Sequence, residues 1–332
     1  MLSRRDLLAM TAVSCATYGW ESTVAAKPLS MRPSKGSYRV EIGHGRRLGV
    51  VEYGDPLGYP VLYFHGLPTC RFEAAILSDY ASAFHCRLIA VDRPGIGLSS
   101  PQPGRTILGW TDDVSRLVDS VIGEQDSQRS YAVLGFSSGG PFAVASAHRL
   151  RGTGLKRVAI VSGVKSPQFS HLPDGNGGRM LELVKRHPRL ARTALTLFAK
   201  RCHRNPAAAI KRLTSGMACA DQRLLHSSLY RGAFLRTVHE AMRQGPCGIL
   251  GDALLLTSCW HIPLSEIKLP VSIWHGACDK TIAVAASHKL AEHIPGSHLT
   301  IAANEGHVSM LRALGPEILT WLSTGRPESH SL

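Results

Sequence analysis

The sequence predicts an α/β fold: a mostly parallel eight-stranded sheet with helices on both faces and a helical cap insertion before the seventh strand. Eight short apolar runs, at 38–42, 48–53, 60–65, 87–91, 130–136, 156–162, 270–275 and 298–302, alternate with helical patterns from about residue 71 onward. Such alternation is the pattern of a sheet covered on both faces. The fifth run ends in Gly135-Phe136-Ser137-Ser138-Gly139 and continues into Gly140-Pro141-Phe142-Ala143-Val144, which reads as strand, sharp glycine-flanked turn and helix start. Between residues 165 and 265 the alternation stops, and a helical stretch broken by Pro167, Pro173, Pro188, Pro206 and Pro246 takes its place. A chain of 332 residues with 44% hydrophobic content can build a large core.

Taken in order, the runs 38–42 and 48–53 are close enough to form an antiparallel hairpin at one edge. Pro60 to His65 is the next strand, closed by the turn Gly66-Leu67-Pro68, and Arg87 to Val91 is followed by the Asp92 turn, read as structural. From Ile107 to Ile122 the apolar residues Trp110, Val114, Leu117, Val118 and Val121 fall at helical spacing. Asp112 and Asp113 near the start of that helix suit its N-terminal dipole and require no catalytic role. After the break, Pro270 to Trp274 is a buried strand, Val284 to His293 an amphipathic helix and Ser297 to Ala302 a last short strand. The expected division is 1–26 export signal, 27–164 with 266–332 core, and 165–265 helical cap.

A serine held in so sharp a turn points its hydroxyl off the top of a sheet, and glycines two residues to either side are needed where a Cβ would collide with a neighbouring strand or helix. Ser137 has glycine at both positions and Ser138 does not, so Ser137 is the candidate nucleophile. A serine hydroxyl needs a base, and the base needs an orienting group. Asp279 lies just past the seventh strand, and His307 follows it by 28 residues in Asn304-Glu305-Gly306-His307. One helix and one strand between them would bring both to the same sheet edge. His65 and His275 also precede glycines, and both are read as structural hydrogen-bonding residues. A tetrahedral oxyanion needs two N–H donors. Ser138 supplies one candidate amide and Leu67 the other, since Pro68 has no N–H.

With these residues in place the chain resembles the α/β-hydrolase superfamily. The matching segments are Phe64-His65-Gly66-Leu67-Pro68, Asp92-Arg93-Pro94-Gly95-Ile96-Gly97-Leu98-Ser99, the Ser137 turn, Trp274-His275-Gly276 through Asp279, and Gly306-His307. The resemblance implies Ser137 as nucleophile, Asp279 as acid, His307 as base, and Leu67 and Ser138 as oxyanion amides. It implies a serine hydrolase acting on a carboxylic ester or related acyl compound through an acyl-enzyme. Acyl transfer, carbon–carbon bond hydrolysis or cofactor-free haloperoxidase chemistry on the same site are the alternatives, and a non-catalytic ligand-binding member is a further one. Serine at the turn departs from the aspartate of haloalkane dehalogenases and epoxide hydrolases. His65-Gly66-Leu67-Pro68 and Asp92-Arg93-Pro94-Gly95 depart from the pattern of proline iminopeptidases.

Residues 165–265 hold 15 Lys and Arg against 5 Asp and Glu, so +10 of the +14 net charge falls in the cap. Solvated surface charge explains most such faces, and steering of an anionic ester is the sharper reading. No zinc finger or interleaved aromatic platform accompanies it, so nucleic acid is not an expected partner. Oligomeric state is not legible. The start Met1-Leu2-Ser3-Arg4-Arg5-Asp6-Leu7-Leu8, with small residues at Val24-Ala25-Ala26, resembles a bacterial twin-arginine export signal. A lipoprotein signal at Cys15 and an uncleaved basic N-terminus in a cytoplasmic protein are the alternatives. The apolar stretch is too short for a membrane span. None of the eight cysteines forms C-x-x-C, so no metal site is expected, and ester hydrolysis at a serine needs no cofactor. Cys202 with Cys219, or Cys247 with Cys259, are candidate crosslinks in an oxidising compartment.

Overall fold

The computed structural model describes residues 31–123, 130–169 and 175–326. The proposed export signal 1–26, Cys15 within it, and Pro173 lie outside those residues. Eight strands form one sheet: β1 (Lys35–Glu41), β2 (Arg47–Gly54), β3 (Tyr59–Phe64), β4 (Cys86–Val91), β5 (Tyr131–Phe136), β6 (Leu155–Val161), β7 (Val271–Gly276) and β8 (His298–Ala302). Their order is β1-β2-β4-β3-β5-β6-β7-β8. β2 runs antiparallel to β1 and β4, and every other pairing is parallel. The first strand begins before its apolar run, at Lys35, because pairing with β2 extends it across a bulge and sets Lys35 opposite Glu52.

Period-two alternation explains why the sheet is covered on both sides. Leu62 and Phe64 of β3, Ile89 and Val91 of β4 and Val133 of β5 face one core layer. Val61, Tyr63, Leu88, Ala90, Ala132 and Leu134 face the other. The first layer is closed by α2 (Trp110–Ile122), α3 (Gly140–Arg149) and α10 (Ala285–His293). The second is closed by α1 (Ser78–Ala83), α11 (Ser309–Ala313) and α12 (Gly315–Thr324). In α2 the predicted residues Trp110, Val114, Leu117 and Val118 are buried, and Val121 packs at the margin.

Between β6 and β7 stand six helices and no strand among the described residues: α4 (Asn176–Arg186), α5 (Pro188–Arg204), α6 (Pro206–Thr214), α7 (Cys219–His226), α8 (Ser228–Ala241) and α9 (Cys247–Leu256). Three of the segment's five acids tie it to the sheet-bearing core. Glu240 of α8 pairs with Arg71 at 2.9 Å, and Arg71 in turn pairs with buried Asp92 at 2.6 Å. Asp252 of α9 meets Arg93 at 2.6 Å and Arg105 at 2.5 Å. Asp221 of α7 binds backbone amides after β8. With these carboxylates turned inward, the cationic side chains dominate the outer side of the insertion. Cys202, Cys219, Cys247 and Cys259 are all free thiols.

Candidate active site

Gly135, Ser137 and Gly139 make the turn that the sequence requires. Ser137 has φ of +51°, a left-handed conformation unfavourable for a residue with a side chain. A Cβ on Gly135 would lie 2.6 Å from the Cβ of Ala143 in α3, and one on Gly139 would lie 2.1 Å from the Phe64 carbonyl oxygen at the end of β3. The strand and helix therefore approach closely only with glycine at both places. Ser137 is 7% exposed and His307, in the loop after β8, is 5% exposed.

Ser137, Asp279 and His307 converge at one sheet edge. His307 Nε2 lies 2.9 Å from Ser137 Oγ, and its Nδ1 lies 2.7 Å from Asp279 Oδ2. A carboxylate only accepts, so Nδ1 carries the proton and Nε2 is free to accept from the serine hydroxyl. Asp279 is itself fixed: Oδ1 accepts from the amides of Thr281 (2.7 Å) and Ile282 (3.0 Å). His275 Nε2 stands 3.1 Å from Oδ2. Burial alone would raise the Asp279 carboxyl, but His307 and His275 outweigh it and hold the group well below the usual carboxylate range. Burial alone would lower His307. The charge and hydrogen bond of Asp279 prevail, with Asp221 and Glu73 adding to them, so the ring titrates above its ordinary 6.5.

The turn after β3 is held by residues that sequence reasoning passed over. The His65–Gly66 peptide is gripped at both ends: its carbonyl accepts from the Arg93 guanidinium, and its N–H donates to Glu73 Oε2 at 2.6 Å. In the next peptide, the Gly66 carbonyl accepts from Arg93 (3.3 Å) and lies 2.7 Å from His65 Nδ1. A trans peptide is planar, so fixing that carbonyl turns the Leu67 N–H to the opposite side. The turn lies against the serine, since a Cβ on Gly66 would be 3.3 Å from Ser137 Cβ and 3.2 Å from Glu73 Oε1. Glu73 also accepts from Thr69 Oγ1 at 2.7 Å and Tyr63 Oη at 3.1 Å. Ser138 is the second residue of the 3-10 turn Ser137–Gly139, where an amide has no acceptor within the turn. His65 and His275 are fully buried hydrogen-bonding residues, as read from the sequence. His275 additionally touches Asp279, a contact that its place four residues before the acid could have signalled.

Asp221 was not singled out by sequence. It is fully buried, and its carboxylate accepts from the backbone amides of His307 (2.9 Å), Val308 (2.8 Å) and Ser309 (2.8 Å). An acid inside so basic a stretch was the available signal. Among the described residues no group of three or more His, Cys, Asp or Glu is arranged to hold a metal ion, and no helix is long and apolar enough to cross a membrane.

A mixed eight-stranded sheet with a serine turn after β5, an acid loop after β7 and a histidine loop after β8 defines an α/β-hydrolase architecture. Residues 59–313 match the family model described as the alpha/beta hydrolase fold, and the chain belongs to that family. It is 28% identical over 222 residues to a pimeloyl-(acyl-carrier protein) methyl ester esterase of Aromatoleum aromaticum, covering 66% of this chain and 79% of that one. An esterase from Exiguobacterium antarcticum superposes with a TM-score of 0.65 at 17% identity, over 87% of this chain and 100% of that chain. A bromoperoxidase from Bacillus anthracis gives 0.63 at 19% identity, over 86% and 97%. At these identities the two structures speak to fold alone.

Proposed function

We propose that this protein is a serine hydrolase of carboxylic esters or related acyl compounds, working through an acyl-enzyme on a small-molecule substrate. The observation that carries the reading is the line Ser137–His307–Asp279, with contacts of 2.9 and 2.7 Å at a serine held at φ of +51°. Ser137 Oγ attacks the ester carbonyl carbon as its proton passes to His307 Nε2. Asp279 holds the ring in the Nδ1–H tautomer and stabilises the imidazolium. The Leu67 and Ser138 amides receive the oxyanion. The imidazolium then protonates the leaving alcohol, the C–O bond breaks, and water, deprotonated by the same histidine, releases the acid and restores Ser137. The insertion serves as a cap that limits water and shapes the acyl pocket. Membership of the hydrolase family and similarity to a methyl ester esterase support the reading.

The test is turnover of 4-nitrophenyl esters from acetate to palmitate by the wild type, Ser137→Ala and Ser138→Ala, with fluorophosphonate labelling followed by peptide mapping. Loss of both turnover and labelling in Ser137→Ala alone is the expected result. Loss confined to Ser138→Ala, or label on another residue, overturns the assignment.

A pH dependence follows from the raised His307 pKa. A base must be neutral to accept a proton, so kcat/KM falls about tenfold per pH unit as pH drops through that ionisation. The limb should lie above the ordinary 6.5 of an isolated histidine. A profile flat down to pH 5 would remove His307 from the role of base.

A further inference from the structure

We propose that the outward face of α4 and α5 docks on an anionic lipid surface. The helix α5 carries more apolar surface than its packing uses. Leu195, Phe198 and Cys202, at helical spacing, turn inward against α8 and its neighbours. A second stripe, Leu190, Ala194 and Leu197, lies beside the first and faces outward, with Leu190 68% and Leu197 60% exposed. On α4, Met180 (58%) and Leu183 (52%) are exposed in the same way. These account for four of the seven large hydrophobic side chains exposed among the described residues, gathered on two consecutive helices.

Charge identifies the occupant. Residues 176–204 carry eight Lys and Arg and one acid, Glu182, which is paired with Arg186 at 2.9 Å. On α5 the helical repeat sets Arg189, Lys200 and Arg204 along the free side of the outer apolar stripe, with Arg201 at its end, all exposed. An apolar stripe bordered by long cationic side chains is the pattern of a helix lying in a membrane interface, where leucines enter the acyl boundary and guanidinium and ammonium groups stay at the headgroups. Two copies of this chain meeting through the face would set a net charge of +7 against +7 over residues 176–204. A nucleic acid would use the cations and leave Met180, Leu183, Leu190 and Leu197 without a role. The inference stands apart from the chemistry at Ser137, because vesicle uptake is read without turnover.

The experiment is co-sedimentation of the full chain with phosphatidylglycerol vesicles and with phosphatidylcholine vesicles, at low and high salt. The wild type is compared with Leu190→Gln/Leu197→Gln and with Arg189→Gln/Arg204→Gln, whose exposed positions leave the fold intact by circular dichroism. Uptake by phosphatidylglycerol alone, reversed by salt, is expected. Each substituted pair should lower partitioning roughly tenfold or more. No uptake by the wild type overturns the proposal. Uptake unchanged in both variants also overturns it, since binding then belongs to another part of the chain. So does a wild-type dimer in sedimentation velocity that the leucine variant dissociates, which would assign the face to a second copy. Oligonucleotide binding that depends on the arginines and ignores the leucines, without vesicle uptake, would assign it to nucleic acid.

Discussion

Asp279→Asn is expected to lower kcat for ester hydrolysis by about 10⁴-fold while the protein stays folded. The size of the effect follows from how the side chain is held. Oδ1 accepts from the Thr281 and Ile282 amides at 2.7 and 3.0 Å, so an asparagine must keep its oxygen there. Its NH₂ then points at His307 Nδ1, where Asp279 Oδ2 accepts at 2.7 Å. An amide N–H facing Nδ1 makes that nitrogen an acceptor and moves the ring proton to Nε2, the nitrogen that must receive the proton of Ser137. The same NH₂ faces His275 Nε2, which lies 3.1 Å from Oδ2, so one of the two rings must also turn or change tautomer. Loss of the carboxylate charge lowers the His307 pKa as well, because Asp279 is what raises it against the effect of burial. The residual activity should therefore show an acid limb shifted to lower pH. The measurement is kcat against pH for wild type and variant on one short-chain ester. A loss smaller than tenfold, with the limb unmoved, would mean that Asp279 does not orient the base.

The six inner strands, β2 to β7, were legible because each is a short, mainly buried apolar run. The edge strands β1 and β8 are largely exposed and showed only as short apolar stretches. Lys35 to Ser37 was missed at the head of β1 because those residues are exposed and owe their strand geometry to pairing with β2 rather than to their own side chains. At the site, Ser137, Asp279 and His307 could be read together because each lies in the turn or loop that follows a strand, where chain order and spacing bring loops to one edge. Glu73, Arg93, Asp221 and Asp252 were not found. Arg93, Asp221 and Asp252 meet partners distant in sequence: Arg93 and Asp252 are 159 residues apart, and Asp221 and His307 are 86 apart. Glu73 meets Tyr63, Gly66 and Thr69 within ten residues, but only because the turn after β3 folds back onto it. No local pattern encodes such a meeting. The charge count of residues 165–265 was right as a sum, yet it could not reveal that most of the acids face inward.

Asp221→Ala is expected to cost about 3 kcal/mol of stability and to lower kcat roughly 10–100-fold. Three amides, those of His307, Val308 and Ser309, now end on one buried carboxylate of the insertion. Removing it leaves buried N–H donors at the start of the short helix α11, and the loss for an unsatisfied donor is larger than the net worth of the bond it made. The His307 backbone is the part released, so the ring keeps its Asp279 partner while its position over Ser137 slackens. Gly306 belongs to the same contact: a Cβ there would lie 2.2 Å from Asp221 Oδ2, so Gly306→Ala displaces the carboxylate and should share the defect. In the double variant the two effects should fall short of their sum, because the second substitution breaks an interaction already lost. Asp221→Asn keeps one acceptor oxygen and should fall between wild type and alanine. A purely structural role would change melting temperature and leave the chemistry of the surviving protein alone. The charge of Asp221 also helps to raise the His307 pKa. Both Asp221 variants should therefore move the acid limb of kcat/KM to lower pH, with kcat reduced more than KM is raised. Unchanged pH profiles and an unchanged kcat in folded variants would confine Asp221 to holding the insertion in place. The expected outcome makes it the residue through which the position of the insertion reaches the base.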